Sequence, residues 1–196
     1  MNIAITGNMG SGKSTVLRIL KDLGYPVFDA DLLAKKQYDK PEVKQAMLEI
    51  FGSQCMLNNQ IDKRYIADRI FHHSSEKDKV ETILYPLVFE ELKQISLAHL
   101  NSICFTEVPL LYESHSESYF DKVLLIKADE SLVNQRLLDL RHYSQANIDE
   151  RLKHQWPMDQ KMGLADDIII NNHDETQLVK QVMAYSDKIK REYGKK

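Results

Sequence analysis

Residues 7–15 read GNMGSGKST and directly follow the apolar run Ile3-Ala4-Ile5-Thr6. Gly7, Gly12, Lys13 and Ser14 fill the spacing G-x-x-x-x-G-K-[ST], in which main-chain N–H groups wrap a chain of phosphates. Glycine permits backbone angles closed to other residues and lets a ligand come close to the main chain. A helix starting behind such a turn adds unpaired N–H groups and the positive end of its dipole, so anions are held there. In this spacing Lys13 reaches the β- and γ-phosphates of a nucleoside triphosphate and Ser14 ligates Mg2+. The chemistry on offer is phosphoryl transfer, which needs positioning, charge neutralisation and a group to take the acceptor's proton.

Candidates for that last role follow a second short apolar run. Asp29-Ala30-Asp31 comes just after 25–28. In an extended chain, positions two apart point to one side. A carboxylate beside an acceptor hydroxyl takes its proton, an effect worth roughly 10²–10⁴ in rate. Either aspartate could instead cap the helix that follows. Glu107, after the apolar residues 103–105, can assist Mg2+ through water or be a solvated strand end. Glu113, in PLLYE, is expected to be a structural hydrogen-bond partner. Arg136, Arg141 and Arg151 flank the polar stretch 142–147. Arginines on a mobile flap can close over a transferring phosphate and spread its charge, although on a helix surface they are commonly just solvated.

Positioning these groups requires a sheet with helices on it. Residues 13–23 carry apolar side chains at 16, 17, 19, 20 and 23 before Gly24, the stripe and stop of a helix. Strand character appears at 2–6, 25–28, 102–108, 122–127 and 167–171, with helical patterns between. Such alternation predicts a parallel sheet covered on both faces, with ligands at the carboxyl ends of its strands. From 32 to about 100 the chain reads as helical with little strand character, too long for a plain crossover. Pro41 opens a helix there, Phe51-Gly52 closes it, and Asp62 caps one over 63–71. A longer helix follows from Ser74 or Ser75, which Pro86 is expected to kink or divide. This insertion is expected to hold the second substrate. A helix over 131–140, a polar stretch and a helix ending near Trp156-Pro157 follow, and a final helix closes the chain.

The composition of this 196-residue chain, 43% hydrophobic and 28% charged, suits one globular domain with a real core. A formal charge of −3 tells against affinity for nucleic acid or an anionic membrane surface. No apolar run reaches membrane-spanning length, and no signal-peptide pattern precedes the first strand. Cys55 and Cys104 lack metal-ligand spacing and read as small buried residues of a protein in a reducing cytoplasm.

Taken in order, TGNMGSGKST, DADLLAK, Phe51-Gly52, IDKRYIADRIF, Tyr85-Pro86, VPLLYE and ADDIIINN resemble the dephospho-coenzyme A kinase family over essentially the whole chain. The resemblance implies a three-layer α/β P-loop kinase fold with a five-stranded parallel sheet. It also implies a helical acceptor-binding insertion at about 32–100 and a lid at about 137–158. The family's reaction moves the γ-phosphate of ATP onto the ribose 3′-hydroxyl of dephospho-CoA, with Mg2+. Carried over, Gly10, Ser11, Gly12, Lys13, Ser14 and Thr15 bind ATP, Asp31 is the catalytic base alongside Lys13, and Ser14 meets the metal. Thr6, Tyr85, Arg136, Arg141 and Asn171 are the expected acceptor and lid residues. The chain departs from the family pattern in several places. Asn8 and Met9 stand where the loop commonly has Gly and Ile, and Tyr85 where a histidine is common. Phe89 and Leu140 each stand where an arginine is common. A nucleoside monophosphate or other small-metabolite kinase, or a relative that binds without transferring, are the alternatives. The absence of N-K-x-D and of D-x-x-G after a strand tells against a switching GTPase.

Overall fold

The computed structural model describes residues 1–141 and 144–193, apart from the side chains at 140, 141 and 146. The chain forms two compact units, one of Met1–Phe28 with Ser96–Lys196 and one of Asp29–Ile95. In chain order, β1 (Asn2–Thr6), α1 (Lys13–Asp22) and β2 (Val27–Asp29) come first. The second unit holds α2 (Ala30–Gln37), α3 (Pro41–Phe51), β3 (Met56–Leu57), β4 (Gln60–Ile61) and α4 (Lys63–His72). The long α5 (Ser74–Ala98) leads back to β5 (Cys104–Glu107), β6 (Lys122–Lys127) and α6 (Glu130–Arg141). Last come α7 (Gln145–Leu152), α8 (Met158–Met162), β7 (Asp167–Ile170) and α9 (Glu175–Tyr193).

The first unit is built on a five-stranded parallel sheet in the order β2-β5-β1-β6-β7. β1 lies at its centre, paired in parallel with β5 and β6, and each of its five residues is buried. Ile3 and Ile5 point into a core with Val16, Leu20, Phe105, Leu124, Ile126, Val182 and Ile189, which seats α1 and α9 on one face. A second cluster of Ala128, Val133, Leu137 and Ile148 gathers α6 and α7, and Met9 packs against it. At the amino ends of the strands, two aspartates act as clips. Asp121 accepts from Asn2 N at 2.6 Å and Asp166 from Val123 N at 2.8 Å. The aspartate of the Ala165-Asp166 pair is therefore architectural.

The second unit has its own core of Val43, Met47, Ile61, Ile66, Val80 and Leu84. Two features differ from expectation. A small antiparallel hairpin, β3–β4, interrupts the helices. Its turn residues Asn58 and Asn59 both have positive φ (50° and 62°), which asparagine tolerates better than most residues. The second difference is that Pro86 does not divide α5. Proline removes one helical N–H, but Val80, Leu84, Val88 and Leu92 form a continuous buried stripe across it, and that packing outweighs the missing bond. None of the described helices is long and apolar enough to cross a membrane.

Candidate active site

The loop between β1 and α1 takes its shape from glycine. Gly7, Gly10 and Gly12 have φ of 145°, 80° and 100°. A Cβ at Gly7 would run into Ile126 O, and one at Gly12 into Asn171 Nδ2. Gly12 caps α1 with no side-chain acceptor. The first N–H groups of a ten-residue helix are thus left facing the loop for an anion.

Lys13 is 7% exposed, and its Nζ donates to Gly7 O at 2.8 Å and Asn8 O at 3.2 Å, so the ammonium bridges the loop it serves. Ser14 Oγ donates to Glu107 Oε1 at 3.3 Å. Glu107 ends β5, in register with Ile5 of β1, which is why a residue 93 positions away arrives beside the loop. These are hard oxygen donors of the type Mg2+ takes, and a metal held there would also sit on the phosphates.

Asn171 follows β7 and braces the loop. Its Nδ2 donates to Ser11 O at 2.8 Å, while its N donates to Lys127 O at 2.7 Å. Arg136 Nη2 donates to Asn171 O at 3.0 Å, and Arg136 Nη1 is buried without a partner among the described residues. The Oγ atoms of Thr6 and Ser11 are likewise buried without one. Thr15 continues α1, half-buried, with its N on Gly12 O at 3.1 Å. The side chain of Arg141 lies outside the described ones, and Arg151 is exposed on α7.

Gln155 was not anticipated. Its Oε1 accepts from Met9 N at 2.9 Å, pinning the tip of the loop to the segment after α7. That segment is held in turn by Glu113, which accepts from Trp156 N at 2.8 Å and pairs with Lys161 at 2.7 Å. Lys161 is fully buried, and Tyr112 stacks on Trp156 at 6.3 Å. Nothing local in the sequence marks Gln155, since its partner is 146 residues away.

In the second unit, the two aspartates stand in different settings. Asp29 accepts from Leu32 N at 3.1 Å and caps α2. Asp31 stands exposed in the first turn of α2. Tyr85 lies half-buried on α5. Its phenol is pushed well above the ordinary range, first by burial, then by Glu81 and by the nearby charge of Asp31. Its ring lies 5.6 Å from that of Phe89.

A central parallel sheet, a glycine-built anion loop, a buried lysine across it and a serine–glutamate pair define a P-loop phosphotransferase. The sequence model of the dephospho-CoA kinase family matches residues 1–177. The chain is 33% identical over 193 residues to a dephospho-CoA kinase of Legionella pneumophila (strain Paris), covering 97% of this chain and 96% of that one. A solved protein from Thermus thermophilus superposes with a TM-score of 0.81 at 27% identity, covering 94% of this chain and 97% of the other. The dephospho-CoA kinase from Campylobacter jejuni gives a TM-score of 0.74 at 24% identity, with 96% of each chain covered, and shares the fold. The chain belongs to the dephospho-CoA kinase family.

Proposed function

We propose that the chain transfers the γ-phosphate of ATP to the ribose 3′-hydroxyl of dephospho-CoA, giving CoA and ADP, in the cytoplasm. The observation that carries this reading is the braced loop, with Lys13 across it and Ser14 on Glu107, in a chain of this family. Gly10, Ser11, Gly12, Lys13, Ser14 and Thr15 hold the phosphates, and Lys13 leaves its loop carbonyls to meet the β/γ oxygens. Ser14, with Glu107 behind it, would hold Mg2+, which when bound neutralises phosphate charge. Asp31 accepts the 3′-hydroxyl proton as that oxygen bonds to phosphorus; the bond to the β-phosphate oxygen breaks and its electron pair leaves on ADP. Asp29, committed to its cap, does not take part. Arg136 adds positive charge beside the loop, and Arg141 acts from the lid. Thr6, with its unpartnered Oγ1, bonds the acceptor ribose, and Asn171 acts by holding Ser11. The two free, buried cysteines accord with a reducing compartment.

The test is an acceptor panel of dephospho-CoA, AMP, GMP, CMP, adenosine and gluconate, each with Mg-ATP. Dephospho-CoA is expected to outrun every other acceptor. Faster phosphorylation of a nucleoside monophosphate would overturn the reading, and binding of dephospho-CoA without any transfer would leave a catalytically silent relative.

A further inference from the structure

The peptide group between Asn8 and Met9, at the tip of the glycine-built loop, is gripped at both of its ends. Its oxygen, Asn8 O, accepts from Lys13 Nζ at 3.2 Å and from Ser11 N at 3.1 Å. Its nitrogen, Met9 N, donates to Gln155 Oε1 at 2.9 Å. In a planar trans peptide the oxygen and the N–H point in opposite directions, so the glutamine fixes which of the two faces the lysine. Were this peptide to turn over, an N–H would stand where Lys13 now has an acceptor, and Ser11 N would lose its partner. The ammonium would keep only Gly7 O, at 2.8 Å.

Gln155 is itself held firmly. Its N donates to Leu152 O at 3.0 Å, and the next residue, Trp156, donates its N–H to Glu113, which is paired with the fully buried Lys161. The rest of the tip docks on the neighbouring helices. Met9 packs against Val133, Leu137 and Ile148, and a Cβ at Gly10 would come within 3.0 Å of Val133 Cγ1 and 3.2 Å of Leu137 Cγ. Packing of this kind sets where the tip lies but does not choose which way a peptide group faces. A hydrogen bond does, because it is directional. We propose that Gln155 is a positioning residue for phosphoryl transfer, which by holding Met9 N turns Asn8 O toward Lys13 and so stations the ammonium where the β- and γ-phosphates arrive. The inference rests on the ATP-site reading above and adds a residue, far from the glycine-rich motif, through which Lys13 is placed. A lysine side chain is long and flexible, so one already stationed needs less ordering when ATP binds. A loop with this peptide reversed lacks that station, and the apparent affinity for ATP falls with the fraction of molecules in that form.

The experiment is a double-mutant cycle on ATP affinity, read by equilibrium titration of wild type, Gln155→Met, Lys13→Met and the double variant. Methionine has nearly the length of glutamine and offers no oxygen to Met9 N. Gln155→Met alone is expected to weaken ATP binding about three- to tenfold, the scale of one lost hydrogen bond. In steady-state assays its kcat should fall by at least as much, while KM for dephospho-CoA stays within about twofold. On the Lys13→Met background the same change is expected to move ATP affinity by less than about twofold, because no ammonium is left to station. A loss of fold would lower the binding stoichiometry and leave the dissociation constant in place, so the titration separates the two effects. Equal weakening in both backgrounds would mean that the bond only shapes the loop, and would overturn the inference. So would a wild-type ATP affinity in Gln155→Met. Failure of wild type to bind ATP at all would instead overturn the site reading on which the inference rests.

Discussion

Exchanging a single oxygen for nitrogen separates the two aspartates at the end of β2. Asp31→Asn removes the proposed proton acceptor and keeps the side-chain size, so kcat is expected to fall by roughly 10²-fold or more. ATP affinity, read by equilibrium titration, should barely change. Asn is nearly as good a helix cap as Asp, so Asp29→Asn should keep most turnover. The opposite ranking in steady-state assays would exchange their roles. Gly12 presents a different kind of constraint. Alanine there must adopt a φ near 100° and displace Asn171 Nδ2 from Ser11 O. Gly12→Ala is expected to weaken ATP binding at least about tenfold, as loss of a charge-facing hydrogen-bond geometry does. Gly24→Ala is the matched control, since φ is 88° but a Cβ there meets nothing within 4 Å. It should cost about 1–2 kcal/mol of stability through its backbone alone and leave ATP binding intact. Equal ATP affinity in both variants would show that the loop does not depend on Asn171.

At the scale of elements, what was legible in the sequence depended on how local each cause is. The loop, the helix stripe of α1 and the Asp62 cap of α4 are written in consecutive residues, and they formed as read. The hairpin had a local signal too, in Asn58-Asn59, but its strands are two residues each and carry almost no periodicity. Pro86 does not divide α5, because a helix breaker acts locally, whereas the buried stripe that runs across it becomes visible only once packed. Gln155, Glu107 and Lys161 owe their roles to partners brought close by the sheet order. Glu113 illustrates the energetic side. Removing it in Glu113→Ala leaves a fully buried ammonium without its counter-charge and Trp156 N–H without its acceptor. Denaturant unfolding should show a loss of about 3–5 kcal/mol. The double replacement Glu113→Gln with Lys161→Met should recover a large part of it, because neither partner is then charged. A loss under about 1 kcal/mol in Glu113→Ala would place the pair among ordinary surface bridges.

Across the whole molecule, the two units keep separate hydrophobic cores. Met47 is fully buried in that of the second unit, so Met47→Ala should cost about 2–5 kcal/mol there. Turnover of dephospho-CoA is expected to drop, while the ATP dissociation constant, measured by titration, stays within about twofold because the loop is built on the other core and shares no packing partner with Met47. A matching loss of ATP affinity would mean that the units share their stability. The brace from Asn171 to Ser11 carries one more consequence, which concerns how the protein is made. The glycine-rich segment is synthesised 160 residues before the side chain that holds it. Even the strands flanking β1 belong to the later part of the chain. At about 5–20 residues per second on the ribosome, the nascent chain carries its nucleotide-binding segment for many seconds with none of these supports. A growing polypeptide of this kind cannot capture ATP early. The ability to spend a nucleotide is switched on near the end of translation, when the second unit has already been synthesised.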